Sequence, residues 1–135
     1  MAIDTSFSPH GSFTLTVHGR VVFLTMAGIW NEECVQRFEA EFPEFLKANG
    51  IAAPWGVLTD LRPWEGGTPE AMARIAGNMD WLHSLGMAAS ARVVTEQFFN
   101  AMIEHEVQQD SPYDVFTDPD LGLAWLASRG FDSKN

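Results

Sequence analysis

The sequence is poor in positive charge: 8 Lys and Arg stand against 18 Asp and Glu in 135 residues, for a formal net charge of -10. The mean field of such a chain repels phosphate backbones and anionic headgroups, which argues against nucleic acid and membrane surfaces as partners. Thiols are scarcer still. The single cysteine, Cys34, cannot close a disulfide within the chain, and a reduced thiol packed into an amphipathic segment is the ordinary state of such a residue. Long apolar runs are missing as well: stretches such as Val21 to Leu24 fall far short of the roughly 20 residues that a membrane-spanning helix needs. Met1 to Ser12 carry no basic patch followed by an apolar stretch, which is what an export signal would show. A cytoplasmic protein with no membrane insertion is the expectation.

Motifs that carry chemistry are equally thin. The histidines His10, His18, His83 and His105 include no pair at the i, i+4 spacing that puts two metal ligands on one helix face. Glu104-His105-Glu106 does not substitute for it, because adjacent helical residues point about 100° apart. There is no nucleophile elbow, no Walker loop and no glycine-rich dinucleotide turn; Gly66-Gly67 is too little to cradle a phosphate. Neither a metal nor a cofactor is expected, and the chain reads as non-catalytic.

What the sequence does have is core material and punctuation. Hydrophobic residues make up 46% of it, enough for a domain of this size to bury about two thirds of its extended surface. Phe13, Leu15 and Val17 alternate with polar residues, and after His18-Gly19-Arg20 the apolar stretch Val21 to Met26 follows, which predicts a β-hairpin with an edge strand beside a buried one. Asn31 can cap a helix with Glu32 and Glu33 in its first turn, Val35, Phe38, Phe42, Phe45 and Leu46 on one face, a kink near Pro43 and a stop at Asn49-Gly50. Trp55 to Leu61 reads as a central strand and Trp64 to Gly67 as a loop. Thr68, Pro69 and Glu70 start a second helix that buries Met72, Ile75, Ala76, Met79 and Leu82 and ends at Gly86. A strand over Ala91 to Thr95, a helix marked by Phe98, Phe99, Met102, Ile103 and Val107, a short strand over Tyr113 to Phe116 and a helix capped by Asp118-Pro119 complete the order. This predicts an α/β fold, a mixed and mostly parallel sheet of about five strands with four helices and an N-terminal β-hairpin. The expectation is a single domain over 1–135 with its core at about 13–131.

Three segments carry a resemblance. The hairpin ends in Ala27-Gly28-Ile29-Trp30, the central strand in Leu58-Thr59-Asp60-Leu61-Arg62, and the chain finishes through Tyr113-Asp114-Val115-Phe116, then Asp118-Pro119-Asp120 and Ala124-Trp125-Leu126. Over Phe13 to Phe131, in these segments and in element order, the chain resembles the STAS superfamily, and within it the SpoIIAA-like branch grouped with small Sec14-like domains. The resemblance implies a small non-catalytic module that binds a partner or an apolar ligand. In anti-sigma factor antagonists of this superfamily, a serine at the start of the second helix is phosphorylated to control binding to a partner kinase. The corresponding turn here is Gly66-Gly67-Thr68-Pro69; Pro69 stands about where the phospho-acceptor would, Thr68 is the nearby hydroxyl, and the switch does not carry over.

The candidate contact surface follows from position. Asp60 and Arg62 lie at the carboxyl end of a central strand, where open α/β sheets bind ligands. A helical wheel sets Trp81 opposite Met72, Ile75 and Met79, on the outer face with Arg74, Gly77 and Leu85, and Trp64 and Thr68 precede the same helix. These residues are expected to meet a protein partner or a second copy in a homodimer. The alternative is a small carrier for an apolar, lipid-like ligand, suggested by the Sec14-like kinship and by 10 Phe, 6 Met and 5 Trp. Acidic charge gathers late in the chain, in Glu96, Glu104, Glu106, Asp110, Asp114, Asp118 and Asp120.

Overall fold

Alternation along the strands sorts the apolar residues onto two sheet faces, and each face recruits its own helices. The computed structural model describes residues 11–103 and 113–134. The hairpin pairs β1 (Ser12–His18) with β2 (Val21–Trp30) antiparallel. It is followed by α1 (Glu32–Ala48), β3 (Trp55–Asp60), β4 (Trp64–Gly67), α2 (Pro69–Ser84), β5 (Met87–Val93), α3 (Glu96–Ile103), β6 (Tyr113–Phe116) and α4 (Pro119–Ser128). The strands run in the order β1-β2-β3-β5-β6, parallel after the hairpin, with β4 added along the far end of β2.

Residues Val22, Leu24, Met26 and Val57 face α1, where they meet Val35, Phe38, Phe42 and Leu46. On the opposite face Val21, Leu58, Ala89, Ala91 and Val93 pack on Leu126 and Phe131 around α4. The helix starts hold for the expected reasons: the side chains of Asn31, Thr68 and Asp118 each accept a backbone N–H at the first turn. Cys34 is buried, and that burial raises its thiol pKa, so it stays a packed, protonated side chain.

Three expectations change. Trp64 to Gly67 is a strand and not a loop, because ten-residue β2 outruns β3, which pairs with it only through Thr25; the exposed backbone at Gly28 and Trp30 takes β4 instead. The strand expected from Ala91 starts at Met87, since Gly86 turns at φ 112° directly into it and a Cβ there would lie 2.5 Å from Ala53. In α2, Met72 is 41% exposed, Ala76 is exposed as well, and Ala71 is the fully buried residue. His10, Glu104, His105, Glu106, Val107 and Asp110 lie outside the described residues. No helix among the described residues is long and apolar enough to cross a membrane.

Leu126 is fully buried between α4 and the sheet. Truncating it removes both its transfer free energy and the contacts of its neighbours, so Leu126→Ala is expected to lower unfolding stability by about 2–5 kcal/mol in a urea titration.

Candidate functional site

Helix α2 is held sideways, by α1. Arg74 donates from Nε and Nη2 to the Glu39 carboxylate at 2.8–3.0 Å and from Nη1 to Glu32 at 3.4 Å. These carboxylates hold the Arg74 guanidinium above its ordinary pKa, Glu39 foremost. About two turns further on, the Trp81 ring packs on Phe38 and Phe42, with centroids 6.2 and 6.3 Å away. The wheel-derived placement of Trp81 on an outer face is therefore corrected: Arg74 and Trp81 turn toward α1 and are partly buried by it. A wheel gives angles around one helix axis and carries no information about where the second layer of helices sits.

Held there, α2 stands across a gap from the sheet. Between them lies a cavity of about 380 Å³, at the lower end of the ~300–1,000 Å³ typical of small-molecule sites. Ile75, Met79 and Leu82 of α2 form one wall; Leu24, Val57 and Met87 of the sheet form the other. Trp30, Trp55 and Trp64 also line it, and half-exposed Phe98 of α3 joins the wall.

A polar row crosses the sheet beneath this apolar space. Register aligns Leu24 with Thr59, Thr59 with Arg92 and Arg92 with Val115, and because neighbours in register share a face, all four line the cavity. Thr59 and Ser90 are the buried polar residues of the core, and both border the same space. Arg92 projects from β5 one residue before the strand's C-terminal end. Its Nη2 donates to Met79 Sδ at 3.4 Å, and its guanidinium lies 4.6 Å from the Tyr113 ring centroid. No carboxylate pairs with it among the described residues, and burial pulls its pKa below the ordinary arginine value. The tryptophans differ in the same way. Trp30 and Trp55 donate their Nε1–H to backbone carbonyls, at 3.3 and 3.0 Å, whereas Trp64 Nε1 is buried with no acceptor among the described residues.

The residues singled out from the sequence separate in space. Trp64 lines the cavity; Asp60, Arg62, Thr68, Arg74, Trp81 and Leu85 do not. Asp60 alternates with Thr59 and so falls on the α4 side, where its carboxylate takes Arg62 Nε and Nη2, both at 2.9 Å, and the Arg62 backbone N–H at 3.0 Å. Thr68 spends its hydroxyl as the α2 cap, accepting Ala71 N–H at 3.2 Å. Leu85 gives its carbonyl to Trp55 and packs at the edge of the α1 core. Arg92 and Thr59 were not among the expected site residues. A signal was present: Arg92 interrupts the apolar pattern between Ala91 and Val93, and a lone cation in a central strand is costly unless something uses it. Among the described residues no group of His, Cys, Asp and Glu is arranged to hold a metal ion.

No protein-family model matches the chain, and no curated protein matches it in sequence. In structure it is similar to an uncharacterised protein from the DUF3478 family, with a SpoIIAA-like fold, from Shewanella loihica PV-4. The two share 14% identity at a TM-score of 0.62, over 93% of this chain and 98% of that one. The fold is thus SpoIIAA-like, in line with the resemblance of the three segments.

Hydrogen bonding from Arg62 is the main cause that holds the Asp60 carboxyl below its usual pKa. A carboxyl depressed on folding contributes stability that is present above its unfolded pKa of about 3.9 and lost as pH falls through the folded value. Arg62 is 44% exposed, so screening limits this to about 1 kcal/mol or less. The melting temperature of Asp60→Asn is expected to lie below wild type by a constant margin from neutrality to about pH 4, with the margin shrinking at lower pH.

Proposed function

We propose that this SpoIIAA-like fold serves as a non-catalytic binding module whose ligand is an apolar small molecule held between α2 and the sheet. The cavity carries the reading. Without a guest, this partly open and mostly apolar space is filled by water. Water is a poor filler here, because a buried water needs two to four polar partners and the walls are mostly Ile, Leu, Met, Val and Trp. An apolar guest recovers the lost contacts outright. At about 30 Å³ for each water-sized group, the space suits a molecule of roughly a dozen heavy atoms.

A protein partner or second copy is the other reading, favoured by Ile29 and Met72, which are 46% and 41% exposed. Both border β4: Ile29 lies between the two residues of β2 that pair with it, and Met72 Sδ lies 3.3 Å from where a Cβ on Gly67 would be. A regulatory role joins the two readings if occupancy of the cavity shifts α2 against that edge.

Ala76 lines the cavity from α2 while Ala73, on the same helix, does not. Titrating 1-decanol into the protein and following tryptophan fluorescence is expected to show saturable binding, weakened about tenfold or more in Ala76→Phe and unchanged in Ala73→Phe, with both variants folded. Equal binding by all three proteins overturns the cavity assignment. For the second reading, Ile29→Ser with Met72→Ser is expected to abolish any concentration-dependent dimer seen by sedimentation velocity.

A further inference from the structure

Among the described residues, Arg92 is placed where no carboxylate pairs with its charge. It sits on a central strand between β3 and β6, in a wall of an apolar cavity. A guanidinium presents five N–H donors and does not lose its proton in a protein, so partial burial leaves it charged and only partly solvated. Among the described residues its single hydrogen bond goes to a thioether sulfur, a weak acceptor. The Tyr113 ring beneath it stabilises a cation. The planar fork is thus oriented by a ring and a sulfur, with further donors unpaired among the described residues.

One neighbour extends the polar end. Thr59 is the register partner of Arg92 on β3, and its hydroxyl can donate to an anion or accept from the guanidinium. The donors present are matched to an acceptor-rich group, and Arg geometry is matched to a planar one with two oxygens.

We infer that the guest of this cavity is an amphipathic carboxylate, an apolar body of about a dozen heavy atoms whose single carboxylate is taken by Arg92 beside Thr59. The inference rests on the cavity reading above and adds the head group to it. The acidic net charge of -10 does not forbid such a ligand. A lone guanidinium at contact distance outweighs a diffuse surface field that salt screens within about 10 Å.

The test uses the wild-type protein with four probes followed by tryptophan fluorescence: decanoate, 1-decanol, decylammonium and 2-naphthoate. Decanoate is expected to bind about tenfold or more tightly than 1-decanol, and decylammonium more weakly than either. 2-Naphthoate separates an aromatic from a linear body, since both carry the same head group. In Arg92→Met the preference for decanoate over 1-decanol is expected to disappear while 1-decanol still binds. This variant is expected to fold, with a melting temperature equal to or above that of wild type without ligand, because a partly desolvated charge is replaced by an apolar chain of similar length. If wild type binds decanoate and 1-decanol equally, the carboxylate inference falls and the cavity reading stands. If none of the four binds, both fall together. If Arg92→Met keeps the decanoate preference, Arg92 is not the group that reads the head.

Discussion

The attachment of α2 to α1 is the constraint on which the rest of this structure depends. Two contacts make it, the Arg74 fork on Glu39 and the Trp81 ring against Phe38 and Phe42. Both lie on the side of α2 toward α1, while its Ile75, Met79 and Leu82 side borders the cavity and meets the sheet in part, as where Met79 Sδ takes Arg92 Nη2. Ala71, near the N-terminal end, is the residue of α2 that is fully buried. A helix free to settle would close the gap to recover dispersion contacts; a helix pinned along one flank keeps it open. The binding space is thus a consequence of helix-to-helix attachment, with the sheet as its floor.

That floor is not uniformly apolar, and the exceptions are ordered by register. Parallel pairing aligns Thr59 with Arg92 and Leu24 with Thr59, so the polar groups form a line and not a scatter. On the α4 side the same strands present Leu58, Ala89, Ala91 and Val93 to Leu126 and Phe131, without a charge among them. Gly122 lets α4 come close enough for this, since a Cβ there would stand 2.9 Å from Leu58 Cδ1. One face is closed tightly for stability. The other is left open, with a cation in it. A guanidinium that no carboxylate pairs with among the described residues forgoes stability an apolar residue could have given, and such departures from local consistency concentrate at functional positions.

Asp60, Arg62 and Thr68 illustrate how a family-like position can be occupied by structural duty. Each sits at the end of the sheet where ligands of open α/β folds bind. Yet Asp60 and Arg62 satisfy one another, and Thr68 caps α2, so their hydrogen-bonding capacity is largely used within the loop. Pro69 follows as the first residue of the helix, where its missing N–H costs nothing. The turn that carries a phosphorylation switch in the resembled antagonists is here a stiff and well-capped helix start.

Much of this was legible in the chain because it depends on near neighbours. Alternation fixed the hairpin, and Asn31, Thr68-Pro69 and Asp118-Pro119 marked their helices, since caps satisfy backbone groups a few residues away. The acidic balance and the single thiol likewise need no structure to read. The direction of Trp81, the strand character of Trp64 to Gly67 and the cavity with Arg92 in its wall were decided by tertiary structure. Each depends on partners far along the chain: Trp81 on Phe38 and Phe42, β4 on the free end of β2, Arg92 on Thr59, Met79 and Tyr113. Local periodicity says which residues share a face; which face meets another element, and which is held away from it, is settled when long-range packing chooses among faces of similar hydrophobicity.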